Sequence, residues 1–197
     1  MPSRRSSPPS LAEHHAAGGR ALLIVDMISS WDFPDADKLL PQAAAIAAPI
    51  AALAARCRRR GVPVIYGNDN RGQWRSDFRR VVEQSLAAGG DGAQITRQLA
   101  PGDEDYFVLK PKQSAFFGTP LDLLLRHLGA HRLLIAGVAS DQCVMTSAMA
   151  ARMRDYEVLV PADCVASQTA ARNKRAIATF EEALNIRTTA STRLRLP

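Results

Sequence analysis

The amino-acid sequence predicts an α/β fold, a three-layer α/β/α sandwich built on a mainly parallel six-stranded sheet. Two observations predict it: short runs rich in Val, Ile and Leu recur along the 197 residues, and helical patterns lie between them. Runs that are almost continuously apolar are typical of parallel strands that helices cover on both faces. A chain of this length can bury one core, so we expect a single domain.

Six apolar runs are predicted to form the strands. They span residues 21–25, 62–66, 106–109, 132–136, 157–160 and 186–189. Because helices alternate with them, the crossovers between parallel strands are expected to be right-handed. In such a sheet the ligand site lies beyond the carboxyl ends of the strands, which is where functional residues are expected.

The clearest predicted helix follows residue 119. Thr119 is expected as its N-cap, Pro120 at its first position and Gly129 as its C-terminal cap, with an apolar leucine stripe between them. Pro49 is expected to kink or restart an earlier helix, because proline removes a backbone donor. That helix and three others are predicted at residues 41–60, 76–87, 142–154 and 170–184.

Residues 20–197 are predicted to form the domain, and residues 1–19 a mobile N-terminal extension. The extension has no apolar core of the length that a signal peptide needs, and no later run approaches a membrane span. The three cysteines include no C-x-x-C pair, which argues against a disulfide framework and a structural zinc site. We therefore expect a cytoplasmic protein that contacts no membrane.

The formal charge of +6 does not by itself indicate a nucleic-acid partner. Four arginines between residues 56 and 60 precede Gly61, where they are expected to solvate the last turn of a helix and favour its dipole. No RNA- or DNA-binding motif accompanies them. The sequence therefore predicts no nucleic-acid partner.

Three polar residues follow predicted strands at the carboxyl edge of the sheet. Asp26 ends the first strand, Lys110 ends the third, and Cys143 follows the fourth, just inside the start of a helix. Unpaired amides and the dipole at a helix start favour a thiolate. Each residue also has an ordinary interpretation: a capping aspartate, a lysine that reaches solvent and a buried inert cysteine. All three are expected to face one crevice.

The three residues stand in motifs that resemble the isochorismatase-like cysteine hydrolases, which include nicotinamidases, N-carbamoylsarcosine amidases and ureidoacrylate amidohydrolases. The motifs are L-L-I-V-D-M, L-K-P-K-Q-S-A-F-F-G-T and G-V-A-S-D-Q-C-V, and the resemblance runs from about residue 20 to residue 189. It implies the isochorismatase-like hydrolase fold and a homodimer or homotetramer.

The resemblance implies that Asp26 accepts the thiol proton, Lys110 supports the anionic pair and Cys143 is the nucleophile. An unperturbed thiol is only a few per cent thiolate at neutral pH, so a neighbouring base and cation would both help. The resemblance also implies a cis peptide between Val138 and Ala139, which turns backbone amides toward an oxyanion.

Four other residues are candidates for contact with a small-molecule, amide-type substrate. Family members commonly carry an Asn-Asp-Phe or similar segment after the first strand, whereas this chain reads I-S-S-W-D-F-P. Trp31 and Phe33 therefore either shape a different pocket or pack the loop over the sheet. Phe116 follows the lysine motif, where the resemblance places residues near the substrate, and Asn70 is expected to hydrogen-bond it.

The sequence predicts hydrolysis of a C–N bond in a small amide, ureido or carbamoyl substrate through a thioester acyl-enzyme. One alternative is the vinyl-ether hydrolysis of isochorismatase itself, but members with that activity lack the nucleophilic cysteine, so the presence of Cys143 argues against it. Another alternative is a non-catalytic binding protein that keeps the fold, because fold alone does not establish activity.

No metal or other cofactor is expected. Metal-binding nicotinamidases present Asp-x-His after the second strand, followed by another histidine, whereas this chain has Asn68, Asp69 and Asn70. One aspartate flanked by amides is a poor zinc site. His127 and His131 have the spacing of a metal pair, but a helix end between them separates their faces. An aliphatic amide or carbamoyl compound is therefore favoured over nicotinamide.

Overall fold

The computed structural model describes residues 16–197 and has helices on both faces of a parallel sheet. The strand order is β3-β2-β1-β4-β5, with β6 beside β4, so the predicted α/β fold with a six-stranded sheet is confirmed. The strands are β1 (Arg20–Val25), β2 (Val64–Asp69), β3 (Tyr106–Lys110), β4 (Arg132–Val138), β5 (Glu157–Leu159) and β6 (Val165–Ala166).

The described helices are divided between the two faces. They are α1 (Ala36–Arg59), α2 (Phe78–Ala88), α3 (Gly90–Gln98), α4 (Leu121–His127), α5 (Met145–Arg152) and α6 (Ala170–Ala178). Leu22 and Ile24 of β1 lie in one core cluster with α1, α2 and α3. Ala21 and Leu23 lie in the other cluster with α4, α5 and α6. Side chains that alternate between two buried faces explain why the strand sequences are continuously apolar.

The sixth strand is not the one that the sequence predicts. Residues 186–189 make only an isolated parallel bridge, between Leu159 and Arg187, with neighbouring backbone bonds to the end of β5. The sixth strand is Val165–Ala166, which pairs with Gly137 and Val138 of β4. A strand of two residues is too short to show a recognisable apolar run, which explains the error.

Two strands extend further toward their carboxyl ends than predicted. β2 continues through Asn68 and Asp69, which pair with Leu109 and Lys110 of β3, because backbone pairing does not require apolar side chains. β4 continues past Gly137, whose φ is +114°. A Cβ on this glycine would lie 2.0 Å from the Val25 carbonyl oxygen, so only glycine fits between β4 and β1.

Helix α1 is uninterrupted from Ala36 to Arg59, so Pro49 does not restart it. It is also the one described helix with the length and apolar composition of a membrane span, which corrects the expectation that no run approaches one. Its larger apolar side chains Ile46, Ile50 and Leu53 are buried in the core against the sheet, whereas several of its alanines are exposed. Packing against the sheet therefore accounts for the larger apolar residues of this helix.

Local signals located the other helices unequally. In α4, Pro120 stands at the N-cap position that was predicted for Thr119, so the helix begins one residue later than predicted. The Thr119 hydroxyl still accepts the Leu121 amide hydrogen, and Gly129 has a φ of +66°. Helix α3 was not predicted, because Gly90 and Gly92 obscure its apolar pattern. The helices predicted at residues 142–154 and 170–184 each contain one turn of π-helix.

The N-terminal boundary lies slightly earlier than predicted. Residues 16–19 belong to the folded domain, because the amides of Ala16 and Ala17 donate to the carbonyl oxygens of Leu128 and Gly61. The rest of the predicted mobile extension, residues 1–15, lies outside the described residues.

Candidate active site

The carboxyl ends of four strands meet at one edge of the sheet, where a cavity of about 920 Å³ opens. β1 and β4 are neighbours there although they are distant in sequence, which makes this edge a switch point of the sheet topology. Parallel sheets hold their ligands at such points. Asp26 and Cys143 line the cavity, and Lys110 is fully buried behind them.

The structure brings together the three residues that the sequence singled out. Lys110 Nζ lies 2.8 Å from Asp26 Oδ2 and 3.5 Å from Cys143 Sγ. The same nitrogen donates to the Lys112 carbonyl oxygen at 3.3 Å. The lysine is therefore a buried cation that holds the carboxylate and the thiol at one point, rather than a lysine that reaches solvent.

A second carboxylate approaches the same lysine. Asp69 ends β2, and its Oδ2 lies 3.5 Å from Lys110 Nζ. The Asp69 amide donates to Asp26 Oδ1 at 2.8 Å, which fixes the first carboxylate against the lysine. Asp69 was not predicted to belong to the site. Its position at the carboxyl end of a strand was the available signal, and it was missed because β2 was taken to end at Tyr66.

Lys110 and Cys143 have shifted pKa values. Burial is the main reason that the pKa of Cys143 is raised to about 12, and the Asp26 carboxylate raises it further, whereas Lys110 lowers it. Burial by itself lowers the pKa of Lys110, but Asp26, Cys143 and Asp69 outweigh burial and raise it. The lysine is therefore a cation, and the thiol is neutral at rest.

A neutral thiol differs from the thiolate that the predicted helix start favours. Cys143 lies in the π-helical turn Ser140–Val144 that precedes α5, and burial together with the Asp26 carboxylate raises its pKa there, although Lys110 lowers it. A carboxylate beside a neutral thiol can accept its proton as the sulfur attacks. Asp26 has the position for that role.

The turn that carries Cys143 is held at both ends. The peptide between Val138 and Ala139 is cis, as the resemblance implies, and both residues line the cavity. The Ala139 carbonyl oxygen accepts the amide hydrogens of Gln142 and Val144, so the turn folds back on the end of β4. These hydrogen bonds fix the turn that carries the nucleophile against the end of β4.

The Asp141 carboxylate ties the same turn to the neighbouring segment that follows β6 and begins α6. It accepts hydrogen bonds from Ser167 Oγ at 2.5 Å and from Arg172 Nε at 2.7 Å. Ser167 follows β6, and Arg172 lies in the first turn of α6. This contact was not predicted from the sequence, because its partners are distant along the chain.

The four predicted substrate contacts fall into two groups. Phe33 and Asn70 line the cavity, and the Asn70 side chain also accepts the Gly72 amide hydrogen. Trp31 is buried and packs over Gly92, where a Cβ would lie 2.4 Å from the indole. Phe116 is buried in the second core cluster against Tyr156, with ring centroids 5.9 Å apart. The structure thus places Trp31 and Phe116 in packing rather than in the cavity lining.

Alkylating reagents are expected to label Cys143 before the other cysteines. Cys57 and Cys164 are fully buried, whereas Cys143 is partly exposed at the cavity floor. Because burial raises the pKa of Cys143 to about 12, its labelling should be slow at neutral pH and accelerate as alkaline pH increases the thiolate fraction. Iodoacetamide labelling with peptide mass mapping measures this. Faster labelling of Cys57 or Cys164 in the folded protein would contradict the assignment.

Metal-binding side chains are not grouped in this site. Within residues 16–197 there is no set of three or more His, Cys, Asp or Glu side chains placed to hold a metal ion. Asn68 and Asn70 flank Asp69, and Asn68 instead donates its side-chain amide to the Ile28 carbonyl oxygen. Metal-independent activity stays a prediction.

The fold and site define an α/β domain with a thiol, a carboxylate and a buried cation at the carboxyl edge of its sheet, and comparison with known proteins identifies its family. The family model described as the isochorismatase domain matches residues 20–192, so the chain belongs to the isochorismatase family. It is 36% identical over 165 residues to the isochorismatase family protein YaaI of Bacillus subtilis (strain 168), covering 84% of this chain and 90% of that protein.

Two solved structures of amide-cleaving enzymes have the same fold. The N-carbamoylsarcosine amidase of Thermoplasma acidophilum is 26% identical, with a TM-score of 0.65, and the match covers 90% of this chain and 99% of that one. The nicotinamidase of Staphylococcus aureus is 25% identical, with a TM-score of 0.66, and the match covers 86% and 96%. This protein is accordingly a hydrolase of the isochorismatase family.

Proposed function

We propose that this protein is a cysteine amidohydrolase that cleaves a C–N bond in a small amide, ureido or carbamoyl compound. The observation that carries the proposal is the position of Lys110 Nζ, 2.8 Å from Asp26 Oδ2 and 3.5 Å from Cys143 Sγ. A nucleophile, a base and a cation at the floor of one cavity are the groups that acyl transfer through a thioester requires. Relatives that are amidases support the same reaction.

The reaction begins with attack of Cys143 Sγ on the substrate carbonyl carbon while Asp26 accepts the thiol proton. Lys110 and backbone amides near Ala139 and Cys143 stabilise the tetrahedral oxyanion. Asp26 then returns the proton to the nitrogen and the C–N bond breaks. Ammonia or an amine departs, and the acyl group stays bound to Cys143 as a thioester. Water attacks the thioester as Asp26 takes one of its protons, and the released sulfur regains a proton.

The alternatives have less support. Vinyl-ether hydrolysis needs no nucleophilic sulfur, so it leaves the Lys110 and Asp26 contacts around Cys143 without a purpose. A non-catalytic binding protein would not require a base and a buried cation beside an accessible thiol. Phe33 and Asn70 are the substrate contacts that remain proposed, because both line the cavity. The homo-oligomer and the cytoplasmic location stay predictions.

Hydrolysis of small amides without added metal is the expected result that tests the proposal. Protein prepared in chelator, with its metal content measured by elemental analysis, is incubated with amides, ureas and carbamoyl compounds, and release of ammonia or acid is followed. Nicotinamide should be a poorer substrate than aliphatic amides, because the chain lacks the histidines that accompany Asp in metal-binding nicotinamidases. Activity that appears only with stoichiometric zinc or manganese would contradict the metal-free mechanism, and no hydrolysis of any compound would contradict the proposed function.

A further inference from the structure

The cavity carries more negative than positive charge, although the whole chain has a formal charge of +6. Among its lining residues within the described part of the chain, Arg71 is the only arginine or lysine. The buried Lys110 adds a second cation behind the floor. Four carboxylates oppose these two cations, those of Asp26, Asp32, Asp35 and Asp69.

Three of these carboxylates have a close cationic partner. Asp26 is paired with Lys110, and the exposed Asp35 is paired with Lys38 outside the cavity lining. Asp32 is paired with Arg71, which also lies over the Phe33 ring, 4.7 Å from its centroid. The single cation in the lining is therefore already neutralised at the cavity rim.

Asp69 is the carboxylate with the weakest compensation. Its Oδ1 accepts the Arg71 backbone amide, and its Oδ2 has only Lys110 Nζ at 3.5 Å, a cation that Asp26 holds more closely. The side chain retains 43% of its exposure and lines the cavity. A carboxylate oxygen in this position has room for a donor from a ligand.

A second acceptor beside Asp69 lacks a donor. Asn68 lines the cavity with 1% exposure, and its Nδ2 donates to the Ile28 carbonyl oxygen, which fixes the orientation of the amide. Its Oδ1 is buried and has no hydrogen-bond partner within residues 16–197. A buried acceptor without a donor leaves an uncompensated negative dipole beside Asp69, which adds to the negative potential at this wall of the cavity.

We propose that Asp69, with Asn68 beside it, binds a protonated amino group of the substrate, so that this enzyme acts on small cationic amides rather than on carboxylate-bearing ones. The inference rests on the proposed function and names its substrate class. Asp69 Oδ2 and Cys143 Sγ both lie 3.5 Å from Lys110 Nζ, so they are separated by at most twice that distance. The amino group of the substrate therefore lies within a few bonds of the carbonyl that Cys143 attacks.

The charge preference can be measured without a substrate, through the reaction of Cys143 with two thiol reagents of similar size and opposite charge. These are 2-aminoethyl methanethiosulfonate, a cation, and 2-sulfonatoethyl methanethiosulfonate, an anion. The rate constant of the cation is divided by that of the anion at Cys143, and this ratio is normalised by the same ratio for 2-mercaptoethanol. We expect the normalised ratio to be about ten or more, within the range that charged clefts produce. Peptide mass mapping restricts the measurement to Cys143.

Variants assign this preference to Asp69. Asp69→Asn is expected to lower the normalised ratio about tenfold, and the ratio cancels any change in the thiolate fraction because both reagents need the same thiolate. Asp69→Glu should retain the ratio, and Asp91→Asn, at an exposed position on α3 outside the cavity, should not change it. Circular dichroism verifies that each variant is folded. A ratio near one in the wild type, or an unchanged ratio in Asp69→Asn, would overturn the proposal.

Hydrolysis of three matched amides separates this inference from the proposed function. They are β-alaninamide, which carries an ammonium group, neutral propionamide, and succinamic acid, which carries a carboxylate. We expect the highest kcat/KM for β-alaninamide and the lowest for succinamic acid. In Asp69→Asn the ratio of these two kcat/KM values should fall about tenfold. Hydrolysis without preference for the cation overturns the inference alone. No hydrolysis of any amide, combined with a high reagent ratio, overturns the proposed function and leaves the cation preference of the cavity standing.

Discussion

Replacing Cys143 with alanine is expected to abolish turnover, with a loss in kcat of roughly 10⁴-fold or more, the scale seen when a nucleophile is removed. Within the described chain, the side chains near Lys110 Nζ are two carboxylates and this thiol, and only the thiol can form the thioester. Steady-state kinetics on any substrate found in the hydrolysis screen, with mass spectrometry of the trapped acyl-enzyme, measures the effect.

Cys57→Ala is the matched control for this prediction. Cys57 is a fully buried residue of α1, on the other face of the sheet from α5, where it packs in the first core cluster. Its loss should leave most of the activity and only modestly lower the free energy of unfolding, because one small apolar group is removed. A Cys143→Ala enzyme that keeps wild-type kcat would refute the thioester mechanism.

Asp26→Asn and Lys110→Met are each expected to lower kcat by roughly 10²–10⁴-fold, and the losses are not expected to add in the double variant. Both residues act on the same proton transfer, since Lys110 Nζ contacts Asp26 Oδ2 and Cys143 Sγ together. Once either partner is missing, the other has little left to contribute. A double-mutant cycle in kcat/KM measures this coupling.

Lys110→Met should also lower the free energy of unfolding by about 3–5 kcal/mol, because it removes one partner of a buried ion pair. The fold is expected to persist, and circular dichroism with urea unfolding would verify it. Lys112→Ala provides the control, since this neighbouring side chain is exposed and only its backbone oxygen contacts Lys110. Additive losses in the double variant would mean that Asp26 and Lys110 act independently, contrary to the proposed mechanism.

The sequence predicted those parts of the site that depend on strand ends. Asp26 and Lys110 each follow an apolar run directly, so the topology rule for parallel sheets placed them correctly at one edge. Asp69 obeys the same rule but was missed, because Asn68 and Asp69 extend β2 with polar side chains and conceal where the strand ends.

Other features depend on packing between distant segments, which a single sequence does not display. Trp31, in the loop after β1, turns into the core because Gly92 of helix α3 leaves room for its ring. Phe116 packs against Tyr156 from beyond α5, whereas its neighbour Phe117 is exposed. The raised pKa of Cys143 likewise follows mainly from burial in the assembled domain, which the local sequence does not display.

The contact between Asp141 and Arg172 means that the motif around the nucleophile is not a self-sufficient unit. Asp141 anchors the Cys143 turn to Ser167 and Arg172, which follow Asp141 by 26 and 31 positions along the chain. A segment that matches G-V-A-S-D-Q-C-V in another protein would lack this anchorage unless a suitable hydroxyl and guanidinium follow at the start of the next helix. Searches for related hydrolases therefore distinguish true relatives better when the octapeptide is combined with its distant partners Ser167 and Arg172. Together these residues encode a tertiary contact that the octapeptide alone does not.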